Sequence, residues 1–161
     1  MTPISEPATI LVTGANAGIG LAASRLVALK DSTTKVILGC RSEERAVEAK
    51  AQLERQTGKQ IFEVLLIDLK DLQSVKDAVA NLDGAVDCLI LNAGGPGAGP
   101  KDLTAQTTDG IANIMALNVT GNALLVKELV SADKLAKEST VVYVSSEAAR
   151  GVANMGFPAP E

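Results

Sequence analysis

Gly14, Gly18 and Gly20 fall within seven residues, directly behind Thr13 and ahead of an apolar stretch, and this spacing suits a phosphate group. Glycine lets the backbone turn sharply and approach a ligand with no Cβ in the way. Peptide N–H groups that open a helix have no partner of their own and carry the positive end of its dipole, so a pyrophosphate fits there. The candidate contacts are Gly14, Asn16, Ala17, Gly18, Ile19 and Gly20. A phosphate loop of the G-x-x-x-x-G-K-[ST] type is excluded, because no Gly-Lys-Ser/Thr triplet follows. Arg41, about twenty residues further on, adds a second piece of chemistry. A dinucleotide site that holds a free ribose 2′-hydroxyl wants Asp or Glu there, whereas Arg suits a 2′-phosphate. One charge-assisted contact is worth roughly 1.5–3 kcal/mol, on the order of ten- to a hundredfold in preference. Ser42 beside it offers a hydroxyl.

These residues need elements to position them, and the pattern supplies alternating strands and helices. Ile10-Leu11-Val12 is an aliphatic block suited to a strand buried on both faces. A first helix, with Ile19, Ala22, Ala23, Leu26 and Val27 at helical spacing, ends near Asp31. A second strand covers 35–40. Ser42 caps the next helix and Gly58 stops it. A third strand covers 61–67; Leu72, Val75, Val79 and Leu82 then mark an amphipathic helix closed by Gly84. A fourth strand, 86–91, ends in Asn92-Ala93-Gly94, and a loop runs from Gly94 to Pro100. A long helical region from Thr104 to about Lys134 precedes a fifth strand, 140–144, which ends in Ser145-Ser146. The βαβα order implies an α/β fold: one doubly wound parallel sheet with its ligand at the carboxyl ends of the strands. Residues 1–161 read as one dinucleotide-binding domain with a flexible start over 1–7 and a loop-like tail over 150–161.

Within the long helix Ile111, Ile114, Asn118, Gly121, Leu125 and Leu129 share a face, so an amide sits in an apolar stripe. Left unpartnered it would cost on the order of 1–3 kcal/mol, so Asn118 is expected to hydrogen-bond within the domain. Cys40 and Cys88 fall in two strands and read as buried, reduced thiols that should be unbonded.

With Thr13-Gly14-x-x-x-Gly18-x-Gly20 behind a strand this early in the chain, the sequence resembles the short-chain dehydrogenase/reductase family. Cys40-Arg41, Asp68-Leu69 with Ser74-Val75, and Thr108-Asp109-Gly110 ahead of Leu117-Asn118 look like its retinol dehydrogenase and protochlorophyllide reductase branch. The resemblance covers about residues 8–150 and implies a Rossmann-like sheet in the order 3-2-1-4-5, lacking the last strands and helices of the full fold. It further implies an NADP-dependent oxidoreductase that passes a hydride between NADPH and an apolar carbonyl, alcohol or alkene substrate. In the family pattern Asp68 meets the adenine and Leu69 lends its backbone, with helix capping the alternative for Asp68. Asn92, Ala93 and Gly94 lie beside the adenine ribose and the sheet. Asn118 bends its helix and holds a water of the proton relay, the alternative being a structural amide bonded to a neighbouring backbone. Ser146, with Ser145 as its rival, hydrogen-bonds the substrate oxygen.

The family's proton donor, a Tyr with Lys four residues later, has no match: Tyr143 is the only tyrosine, inside the fifth strand, and Glu147 stands four residues on. The fifth strand also has the apolarity of a central strand while falling at an edge. It should be covered by the remaining part of a longer chain or by another subunit. The alternative function is a non-catalytic module that binds NADP(H) or a partner. A methyltransferase on a similar fold is disfavoured by Arg41, where an acid would be wanted for the ribose. A net charge of −4 with scattered Lys and Arg argues against nucleic acid or an anionic membrane as the main partner. The chain has no His and no metal-ligand spacing, so no metal is expected. The first seven residues lack the features of a secretory signal, and no apolar run reaches membrane-spanning length, which makes the cytosol the default.

Overall fold

The computed structural model describes residues 8–95 and 105–146. The expectations for residues 1–7, for 96–100 of the loop after the fourth strand, for the start of the long helical region and for the tail lie outside them. Five parallel strands, β1 (Ala8–Thr13), β2 (Thr33–Cys40), β3 (Phe62–Leu66), β4 (Val86–Leu91) and β5 (Leu135–Tyr143), form one sheet in the order β3-β2-β1-β4-β5. This is the expected order, and β1 sits at its centre.

Alternation along β1 sends successive side chains into two separate cores. Leu11 joins Ile37, Leu65, Leu89 and Leu91 beneath α3 (Leu72–Ala80) and α5 (Gly121–Ser131). Ile10 and Val12 join Val36, Leu38 and Cys88 beneath α1 (Gly18–Ala28) and α2 (Glu43–Thr57). With helices on both faces, β2 is buried from Val36 to Cys40, which is why it reads as an unbroken apolar run. Ser42 caps α2 by accepting from the Arg45 N–H at 3.4 Å, and Gly58 ends it at φ +69°. Asp71 caps α3, whose Val75 and Val79 are buried together with Leu82 just beyond its end.

Three boundaries differ from the sequence reading. Helix α1 stops at Ala28, where a turn closed by Lys30 N–H on the Val27 carbonyl takes over. The long helical region begins only at Asn113, because turn chemistry outweighs helical periodicity before it. The Thr107 hydroxyl accepts from the N–H groups of Asp109 and Ile111, Gly110 sits at φ +75°, and Gln106 bridges Ala112. That region is also not one α-helix: α4 (Asn113–Met115) passes through a π-helical turn, Ala116–Thr120, into α5. Strand β5 starts at Leu135 instead of Thr140, since Leu135 already pairs with Val86. The chain then bulges, residues 136–139 of β5 standing against the single Asp87 of β4, before regular pairing resumes at Thr140.

Lys134 secures this junction by donating to the carbonyls of Val79, Ala80 and Leu82 at 2.7, 3.1 and 2.7 Å, which caps the end of α3. Strand β5 ends the sheet, and its side chains stay open on both faces: Val141 is 45% exposed and Val142 42%. Cys40 and Cys88 are buried and unbonded on strands separated by β1, as expected. Burial raises both thiol pKa values above the ordinary 9.0, more than the Ala15 and Asn16 backbone contacts lower that of Cys40. Among the described residues no helix is long and apolar enough to cross a membrane.

Candidate functional site

At the carboxyl edge of the sheet, the ends of β1, β2, β3, β4 and β5 surround one open cavity of about 590 Å³. Its floor is the β1–α1 turn. Gly14, at φ +66°, leaves no room for a side chain, since a Cβ would stand 3.0 Å from Ala93 Cα; its N–H is held by the Gly39 carbonyl at 2.8 Å. Gly18, at φ +53°, has nothing within 4 Å of its Cβ position, so the turn is open on that side. Helix α1 begins with no side-chain cap and no acid in its first turn, which leaves its N–H groups available to an anion. Gly14, Asn16, Ala17, Gly18 and Ile19 line the cavity; Gly20 does not. A Cβ on Gly20 would meet the Gly14 carbonyl oxygen at 2.3 Å, so the packing of helix on turn requires this third glycine.

Thr13 fastens the turn to the end of β4. Its hydroxyl oxygen, in a residue 1% exposed, accepts from the N–H groups of Asn92 and Ala93, both at 3.0 Å. Asn92 returns the connection through its amide nitrogen, which donates to the Thr13 carbonyl at 3.0 Å. Asn92, Ala93, Gly94 and Gly95 line the cavity on this side.

Arg41 and Ser42 line it where β2 ends, and Asp68 and Leu69 where β3 ends. Asp68 is no helix cap: its carboxylate accepts from the Lys70 N–H at 3.0 Å while its own N–H donates to the Ser74 hydroxyl. Two further cations, Arg45 and Lys70, line the same cavity and were missed. Arg45 follows Arg41 by four residues, one turn into α2; on a helix with so many charges it reads as an ordinary surface side chain, and only the i, i+4 spacing from Arg41 could have signalled it. Three cations and one carboxylate make the lining basic in a chain of net charge −4, a local field suited to an anionic ligand.

The π-helical turn gathers the remaining strand ends. The Asn118 amide grips the backbone of Gly95 with both its atoms, accepting from the N–H at 2.9 Å and donating to the carbonyl at 2.7 Å, and also donates to the Ile114 carbonyl at 2.8 Å. The expected hydrogen bonding within the domain is therefore present. Gly121 lies so close to the β3–α3 connection that a Cβ would stand 2.0 Å from the Leu69 carbonyl oxygen. Asn122, fully buried and missed from sequence, donates to the Leu117 carbonyl at 3.0 Å, and its Oδ1 has no donor among the described residues. Tyr143 donates its hydroxyl to the Asn118 carbonyl.

Of the residues expected to be catalytic, neither Asn118 nor Ser146 lines the cavity; their neighbours Leu117 and Val144 do. Ser145 and Ser146 follow β5 as exposed residues. Tyr143 does not line the cavity either, so the one tyrosine is not aimed at a ligand there.

The profile of the family described as short chain dehydrogenase matches residues 8–158. The chain is 34% identical over 144 residues to the WW domain-containing oxidoreductase of Danio rerio, which covers 88% of this chain and 34% of the relative. It is 32% identical over 128 residues to the chloroplastic protochlorophyllide reductase B of Oryza sativa subsp. japonica, covering 76% of this chain and 30% of that protein. The chain thus spans about a third of the length of these curated relatives. Among solved structures it is similar to L-sorbose reductase of Gluconobacter frateurii in complex with NADPH and L-sorbose, with a TM-score of 0.59 and 25% identity over 78% of this chain and 47% of that one.

Proposed function

Because the chain belongs to the short-chain dehydrogenase/reductase family, we propose that residues 8–146 form the NADPH-binding side of an oxidoreductase. Its reaction is hydride transfer between NADPH and a small apolar carbonyl, alcohol or alkene. The observation that carries this reading is the single cavity that joins the glycine turn to Arg41, Ser42, Asp68, Leu69 and the Asn92–Gly94 segment. The uncapped start of α1 and the open side of Gly18 fit a pyrophosphate. Arg41, with Ser42 and Arg45 beside it, holds the 2′-phosphate; Asp68 and Leu69 meet the adenine; Asn92, Ala93 and Gly94 border its ribose. When bound, the cofactor supplies the hydride. The chain binds it, orients it across the strand ends and keeps the phosphate end basic.

In this reading Asn118 bends its helix as part of the relay, and Ser146, just past β5, hydrogen-bonds the substrate oxygen. No tyrosine with a lysine four residues on occurs in the 161 residues, and the Tyr143 hydroxyl is committed to Asn118. In this reading residues 8–146 account for cofactor binding and not for the proton transfer of the reaction. A cytosolic setting fits the two buried free thiols. A second reading, favoured by the exposure of β5, with Val141 45% and Tyr143 52% exposed, is a non-catalytic NADP(H)-binding module that docks a partner along that strand. The test is the fluorescence of added NADPH. The proposal expects enhancement on binding, reversed by 2′-AMP at concentrations where 5′-AMP has no effect. No enhancement, or equal competition by the two, overturns it.

A further inference from the structure

The bond from Tyr143 to the main chain of Asn118 joins β5 to the π-helical turn beside the cavity. Within the π-helical turn the Gly121 N–H reaches back five residues to the Ala116 carbonyl. When the four-residue ladder resumes, one carbonyl inside the turn is left without a main-chain donor. Two carbonyls of the turn receive side-chain donors: that of Leu117 from the Asn122 amide at 3.0 Å, and that of Asn118 from the Tyr143 hydroxyl and, loosely at 3.4 Å, the Asn122 amide. Each end of the Tyr143–Asn118 contact is one residue from a side chain that lines the cavity: Val144 follows Tyr143 and Leu117 precedes Asn118. Asn118 in turn holds Gly95 through both amide atoms. A chain of direct bonds therefore runs from β5 through the π-helical turn to the segment after β4.

We propose that Tyr143 is a positioning residue: its hydroxyl latches β5 to the π-helical turn and so fixes Leu117, Val144 and Gly95 as the wall of the cavity farthest from Arg41. Three strand spacings separate the ends of β2 and β5, about 14 Å. The latch therefore acts on the end of the ligand opposite the 2′-phosphate. Its effect on binding rests on the reading of the cavity as a dinucleotide site; the latch itself does not.

The chain has one tyrosine and no tryptophan, so ultraviolet tyrosine bands report on this phenol alone. In the unmodified protein the band should lie to the red of its position in the urea-unfolded chain, as for a phenol donating to a carbonyl. A band unchanged by unfolding overturns the latch, with no variant needed. Tyr143→Phe removes the hydroxyl alone. It should speed amide exchange at Gly95 and across 118–121 about three- to tenfold, the scale of one lost hydrogen bond, while Leu11 and Leu89 in the sheet keep their protection. NADPH and NADH affinities should both fall by that factor, with their ratio unchanged. Exchange equal to the unmodified protein, or raised uniformly through the sheet, overturns the proposal, as does an altered NADPH-to-NADH ratio. If the unmodified chain binds neither cofactor, the dinucleotide reading fails, while the tyrosine band and the exchange pattern still decide the latch.

Discussion

Replacing Thr13 by Val exchanges a hydroxyl for a methyl group of nearly the same volume, so the change removes an acceptor without opening a cavity. Two donors then lose their partner, the N–H groups of Asn92 and Ala93, each 3.0 Å from the hydroxyl oxygen. A buried donor left unsatisfied costs about 1–3 kcal/mol. Both residues are half-buried, so water reaches them in part, and the lower half of that range applies. The sum is about 2–4 kcal/mol, against a typical domain stability of about 5–15 kcal/mol. The donation from Thr13 to the Ile90 carbonyl, at 3.5 Å, adds little. Thr13→Ser keeps the oxygen and loses one buried methyl, at about 0.5–1.5 kcal/mol. Urea unfolding followed by far-ultraviolet circular dichroism suits a chain with one tyrosine and no tryptophan. The expected order of stability is native, then Thr13→Ser, then Thr13→Val, with the last pair about 1–3 kcal/mol apart on the same two scales. A Val variant as stable as the Ser variant would mean that the hydroxyl is not what ties β1 to the end of β4.

Gly121→Ala should cost more than about 2 kcal/mol, because the new Cβ would meet the backbone of Leu69, which cannot give way as a flexible side chain would; thermal melts of Gly121→Ala against Ala123→Gly, an exposed site on the same helix, measure it. The two cysteines should resist thiol reagents in the native protein and react after unfolding, as both are buried. Their folded pKa values are raised, so the stability they contribute is complete below the unfolded value near 9.0 and is lost as pH rises through the higher folded values. The urea midpoint should therefore fall above about pH 9, and less steeply in the Cys40→Ala, Cys88→Ala double variant.

Much of this was legible in the sequence because it depends on local chemistry. The glycine spacing, the aliphatic block before it and Arg41 behind the second strand find each other through one βαβ unit; alternating strands and helices imply a doubly wound parallel sheet, and the family resemblance implies its strand order. What was not legible depends on contacts between distant segments. Thr13 reads as the last residue of a strand, and only the return of Asn92 from 79 positions away makes it a hub. Gly20 looks like a ligand contact by spacing, yet the Gly14 carbonyl and the Asn92 amide crowd it. The π-helical turn has no periodicity of its own: the Gly95 backbone on the Asn118 amide and the Leu69 carbonyl against Gly121 accompany that register. In the Thr107–Ile111 turn a hydroxyl competed with the helix for N–H groups, so the apolar spacing across Ile111 and Ile114 overstated the helix by a turn or more.

If this cavity holds a dinucleotide by its 2′-phosphate, calorimetric titration of the chain and its Arg41→Ala variant with NADPH and NADH will show it. NADPH should bind on the order of ten- to a hundredfold more tightly than NADH. The variant should lose most of that ratio through weaker NADPH binding, with its NADH affinity nearly unchanged. Equal affinities in the unmodified chain, or a preference that survives the loss of Arg41, would contradict a hold on the 2′-phosphate.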